Sequence, residues 1–108
     1  MDDASVNEAI AGADPMPQRK AVLVRTYSAG IHFGYLVNRE GREVTLERSR
    51  RIWRWQGAWT LSEIATSGLD SNRSRVAAPV SITLTEAIEI IDCTTEAVAK
   101  IEAAQWAS

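Results

Sequence analysis

Apolar and polar positions in this 108-residue chain alternate mostly with a two-residue period, the mark of half-buried strands. Ala21 to Tyr27 contains Val22-Leu23-Val24, a β-branched run of the buried-strand type. Ser28-Ala29-Gly30 predicts a short turn in which glycine can supply a positive φ. Ile31 to Val37 predicts the returning strand, with Ile31, Phe33, Tyr35 and Val37 on one face and His32, Gly34 and Leu36 on the other. Beyond the Asn38-Arg39-Glu40-Gly41 turn, Glu43-Val44-Thr45-Leu46 completes an antiparallel meander. Arg51 to Trp55 reads as a fourth strand, placing Arg51, Trp53 and Trp55 on one face and Ile52 and Arg54 on the other.

Helical signals are few and short. Thr60-Leu61-Ser62-Glu63 is a capping box, Leu61, Ile64 and Ala65 form a stripe, and Gly68 closes a helix near 61–67. Residues 69–79 read as a polar loop, and Val80 to Thr85 alternates as a further strand. Ala87 to Ile91 continues as a strand bent or interrupted near Thr85-Glu86, with a helix across Glu86–Ile91 as the competing reading. Thr94 can cap a last helix whose thin apolar stripe is Val98 and Ile101, with Trp106 past its end. The expected fold is α+β and β-dominated: about six strands in an antiparallel sheet, curled into a small sandwich or partly open barrel, with two short helices. Residues 1–20, poor in apolar side chains and ending in Asp14-Pro15-Met16-Pro17, read as a flexible tail on which Val6 to Ile10 could form one helical turn; 21–108 read as a single domain.

Composition is that of an ordinary globular protein, and the single cysteine, Cys93, excludes an internal disulfide and any cysteine-based zinc site. No apolar run reaches the roughly 18 residues of a membrane span, and no secretion signal opens the chain, so an intracellular protein is expected. The net charge of −2 hides an asymmetry. Residues 21–79 hold nine arginines against five acids, whereas 80–108 hold five acids against Lys100. Such halves either pair with each other or create a local positive field for an anion. Arginine outnumbers lysine ten to two, which favours planar, bidentate and stacking recognition, although a GC-rich genome enriches arginine too.

The densest chemistry lies in residues 50–59, which hold three of the four tryptophans and three of the ten arginines. A small core seldom buries so many large groups, so some of them are expected at a groove, a ligand or a subunit contact. The Arg25-Thr26-Tyr27-Ser28-Ala29-Gly30 turn carries donors that can face an oxyanion, but no P-loop glycine–lysine pattern. Cys93, just before a helix cap, is either a buried thiol or one whose pKa a helix N-terminus lowers. His32, the sole histidine, has no acid in its hairpin to orient it and cannot hold a structural zinc alone. It is expected either to donate a hydrogen bond within the sheet or to touch an anion beside Arg25.

Three stretches carry a resemblance: residues 22–34 (Val22 to Gly34), Arg50-Arg51-Ile52-Trp53-Arg54-Trp55 with Gly57-Ala58 and Thr60-Leu61, and Leu84 to Ile90. Across about residues 21–95 the chain resembles a family of small proteins encoded by tailed bacteriophages and prophages. The resemblance implies a phage origin and no catalytic residues. Two functions then stand. The first is a non-enzymatic binder of a small anionic ligand, such as a host-defence nucleotide signal that a phage sequesters. Arg25, Ser28, His32 and Arg51 would hold the phosphate, with Trp53 or Trp55 under the base. The second is a virion component, capsid-decorating or head-associated, whose Arg–Trp surface and N-terminal arm make assembly contacts. Either suits a homo-oligomer in the host cytoplasm or the virion, without cofactor, metal or membrane, and with long nucleic acid disfavoured by the acidic net charge.

Overall fold

The computed structural model describes residues 19–105; the Val6 to Ile10 turn, the rest of 1–18 and Trp106 lie outside the described residues. Strands β1 (Ala21–Thr26), β2 (Ile31–Glu40) and β3 (Glu43–Arg54) precede helix α1 (Leu61–Ser67). Strands β4 (Arg75–Val76), β5 (Val80–Leu84) and β6 (Ala87–Asp92) follow, and helix α2 (Thr95–Glu102) comes last. All pairings are antiparallel. The order is β4-β3-β2-β1-β6, with β5 also on β3. Residues Ala87 to Ile91 are therefore strand, not helix. Thr85 and Glu86 alone join β5 to β6, which lie on opposite edges, and this short link forces the sheet to curl. The Ala87 N–H reaches the Arg42 carbonyl at 3.0 Å across that approach. The sheet does not close into a barrel.

The sequence splits β3 into two strands, whereas the fold makes it one strand with a bulge. Phe33 pairs with Arg50 and Tyr35 with Glu47, so Arg48 and Ser49 together oppose Gly34. The same extra residue appears against β5, between Leu46–Ile82 and Ser49–Val80. Arg48 absorbs it with a φ of 51°. One inserted residue reverses which face every later side chain occupies. Val44 and Leu46 thus point to one side of the sheet, whereas Arg50 and Ile52 point to the other. Gly34 is needed opposite the bulge, because a Cβ there would lie 3.0 Å from Leu46 Cβ and 3.2 Å from Ser49 Cα.

Two apolar clusters result, one on each face. Leu23, Phe33 and Ile52 pack with Ile64, Ala65, Leu69, Ile101 and Ala104 from the helical side. Val22 and Val24 pack with Val44, Leu46, Leu84 and Ala87 inside the curl. That is why Val22-Leu23-Val24 is apolar without alternation: β1 is covered on both faces. Both helices start as their caps predict. The Thr60 hydroxyl accepts the Glu63 N–H at 3.1 Å while Glu63 takes the Trp59 N–H at 2.9 Å, and Gly68 ends α1. Thr94 accepts the Ala97 N–H at 3.1 Å. Residues 69–79, read as loop, contribute the two-residue strand β4. Arg19 and Lys20 are tied to the sheet: Leu36 N–H donates to the Lys20 carbonyl, and Arg19 lies 3.3 Å from Glu47.

Candidate functional site

The β1–β2 turn is built by its own side chains. Thr26 Oγ1 donates to the Gly30 carbonyl at 2.7 Å and accepts the Ala29 N–H at 2.8 Å, while Gly30 adopts a φ of 87° that side-chain-bearing residues avoid. Two side chains meet the Ala29 carbonyl of this turn. His32 Nε2 lies 2.9 Å away and Arg51 Nη2 also donates to it. A carbonyl can only accept, so His32 carries its proton on Nε2. Burial, the largest influence, holds the His32 pKa below the ordinary value; the Ala29 contact opposes that shift and the Arg51 charge adds to it. His32 is thus buried with its ring committed to the backbone of its own hairpin, closer to the structural of the two roles expected for it.

Beside this turn lies an open cleft of about 360 Å³, lined by Ser28, Ala29, Gly30, Ile31, Arg51, Ile52, Trp53 and Trp55. Four of the six residues expected from sequence therefore share one site. Trp53 is 49 % exposed, and the Arg75 guanidinium lies over its ring, 5.9 Å from the centroid. Trp55 stands just past the end of β3 and also packs against the helix-side core. Ser28 donates to the Glu86 carboxylate at 2.5 Å. His32 and Arg25 do not line the cleft. Arg25 pairs with Glu89 at 3.3 Å, on the sheet face opposite His32, since Arg25 lies two residues beyond Leu23 and shares its face, whereas His32 pairs with Val24.

The basic middle and acidic end of the chain meet in part, through three of the nine arginines. Arg25 reaches Glu89, Arg48 and Arg50 both lie 3.9 Å from Glu102, and Lys20 lies 3.5 Å from Asp92. Cys93 departs from the activated alternative: burial, with Asp92 adding to it, pushes its thiol up to about 12. Among the described residues no group of three or more His, Cys, Asp and Glu side chains has metal-binding proximity, and no helix is long and apolar enough to cross a membrane.

The sequence pattern assigns Arg50 no role beyond its place in the arginine–tryptophan stretch. Among the described residues it is the largest fully buried side chain, 1 % exposed. Its Nε donates to Ala77, Nη1 to Ile101 and Glu102, and Nη2 to Val76 and Ala104, at 2.7–3.3 Å. Every N–H of the guanidinium is used. Three of those carbonyls belong to the C-terminal turn of α2 and the residues just after it, where a cation also meets the negative end of the helix dipole. Burial draws the Arg50 pKa down from its usual value and Glu102 opposes this. Tyr35 donates to Glu102 at 2.9 Å, and burial followed by that hydrogen bond pushes the phenol up to about 12. One signal for Arg50 was present: on a strand it shares its face with apolar Ile52.

Fold and site together define a small curled-sheet domain with an arginine–tryptophan cleft at one end. The profile of a family described as a domain of unknown function, DUF6948, matches residues 19–101, and the chain belongs to that family. No curated protein and no solved structure matches it.

Proposed function

We propose that this domain binds, without transforming, a small anionic ligand that carries a flat ring. The observation behind this reading is the convergence of Arg51, Trp53 and Trp55 on one open cleft next to the β1–β2 turn. Arg51 supplies planar donors, held at present by a backbone carbonyl that an anion can replace. Arg75 already covers one face of Trp53, which leaves its opposite face, or Trp55, for a ring. A volume of about 360 Å³ suits a mononucleotide-sized molecule or smaller, near the lower end of ordinary ligand pockets. A nucleotide signal of host defence, captured by a phage protein, is one such ligand.

Calorimetry with a panel of nucleoside monophosphates and aromatic acids tests the proposal, read together with native mass spectrometry of gently purified protein. Wild type should bind at least one class, and Arg51→Ala should abolish the heat while retaining the wild-type circular dichroism. Unchanged affinity in Arg51→Ala refutes the assignment.

One observation favours a second reading. Trp59 is 91 % exposed and Tyr27 79 %, and neither lines the cleft, so a ligand there would leave both bare. These side chains suit a contact with another subunit, in a homo-oligomer or on a virion. Sedimentation equilibrium of wild type and Trp59→Ser separates the two: a mass that falls in the variant, with no ligand heat in either protein, supports assembly.

A further inference from the structure

Resting on that reading of the cleft, we infer that its ligand carries a single negative charge, and that Glu86 excludes ligands bearing two. Four side chains were candidates for holding a phosphate, and the fold leaves one. Arg25 faces Glu89 outside the cleft. His32 is buried, and its N–H is directed at Ala29. Ser28 lines the cleft, but its hydroxyl proton points at the Glu86 carboxylate, so what it brings to the rim is a negative charge. Arg51 remains as the cation of the lining, with Arg75 next, over the Trp53 ring and not in the lining.

One guanidinium matches one carboxylate or one phosphodiester, each of which it can bind through two parallel N–H donors. A phosphate monoester at neutral pH carries close to two charges. Its second charge would have no cation besides Arg51 in the lining and would meet the field of the Glu86 carboxylate that Ser28 holds at the rim, where like charges repel. The ligand class that fits is therefore an aromatic monoanion: an aryl carboxylate, or a phosphodiester such as a cyclic mononucleotide. Mononucleotide monoesters and polyphosphates are disfavoured.

Three probes with one common ring isolate charge from chemistry: 2-naphthoate, methyl 2-naphthyl phosphate and 2-naphthyl phosphate. Each is titrated by calorimetry into the full chain at pH 8. The two monoanions should bind with similar Kd and the dianion roughly fivefold or more weakly. Glu86→Gln, a surface change that keeps a hydrogen-bond acceptor for Ser28, should bring the dianion to within about twofold of the monoanions. A wild-type protein that binds the dianion as tightly as the monoanions, or more so, overturns this inference and leaves the cleft proposal standing. A discrimination that survives Glu86→Gln overturns the role of Glu86. If none of the probes binds, and the panel of nucleotides and aromatic acids also gives no heat, the cleft proposal itself fails.

Discussion

Replacing Arg50 with methionine keeps an apolar side chain of similar reach and removes all five donors. The carbonyls of Val76, Ala77, Ile101, Glu102 and Ala104 then lose their partner together. Val76, Ile101 and Ala104 are buried residues, so water cannot easily replace the guanidinium there. A buried acceptor left unpaired costs about 1–3 kcal/mol, and removing one member of a buried ion pair costs about 3–5 kcal/mol. Recovery of the guanidinium's hydration cost offsets part of this. The expected loss is roughly 3–5 kcal/mol, a large part of the about 5–15 kcal/mol available to a domain. Urea unfolding followed by tryptophan fluorescence should show the midpoint fall with an unchanged slope. Hydrogen exchange should quicken first at the end of α2 and at 76–77. Arg51→Met, one residue away but on the exposed face, should change stability by no more than about 0.5 kcal/mol. An Arg50→Met protein within about 1 kcal/mol of wild type would refute the view that this side chain fastens α2 to the sheet.

Gly34→Ala places a Cβ against Leu46 and the Ser49 backbone, so overpacking should cost about 1–3 kcal/mol in the same assay; a neutral result would mean the bulge relaxes freely. His32 has its folded pKa lowered, so the unfolded chain takes up a proton near pH 6.5 that the folded one resists. Stability should therefore fall as pH drops below about 6.5, and His32→Gln should flatten that slope. Tyr35 has its folded pKa raised to about 12, so its contribution is complete below about pH 10 and lost as pH rises from there toward 12. Tyr35→Phe should remove that part of the alkaline loss, and denaturation midpoints measured between pH 9 and 12 decide it.

Short-range pattern alone determined much of this protein. The Val22-Leu23-Val24 run, the glycine turn at Gly30, the alternation through Phe33 and Tyr35, and both threonine caps each act within a few residues. The elements they specify form where the chain predicts them. The co-location of Ser28, Arg51, Trp53 and Trp55 was legible too, because a hairpin brings β2 back onto β3 and sets His32 opposite Arg51. Other features needed the tertiary structure. A bulge at Arg48 carries no glycine to announce it, so the pattern alone divides β3 into two strands and leaves Arg50 between them. Arg25 and Ser28 looked available as anion donors, because Glu89 and Glu86 lie some sixty residues away along the chain and reach them only when β6 docks on β1. Periodicity reports which side of its own element a residue occupies. Which groups wait on that side, and whether they neutralise an arginine or bury it, depends on contacts between distant segments that only the folded sheet brings together.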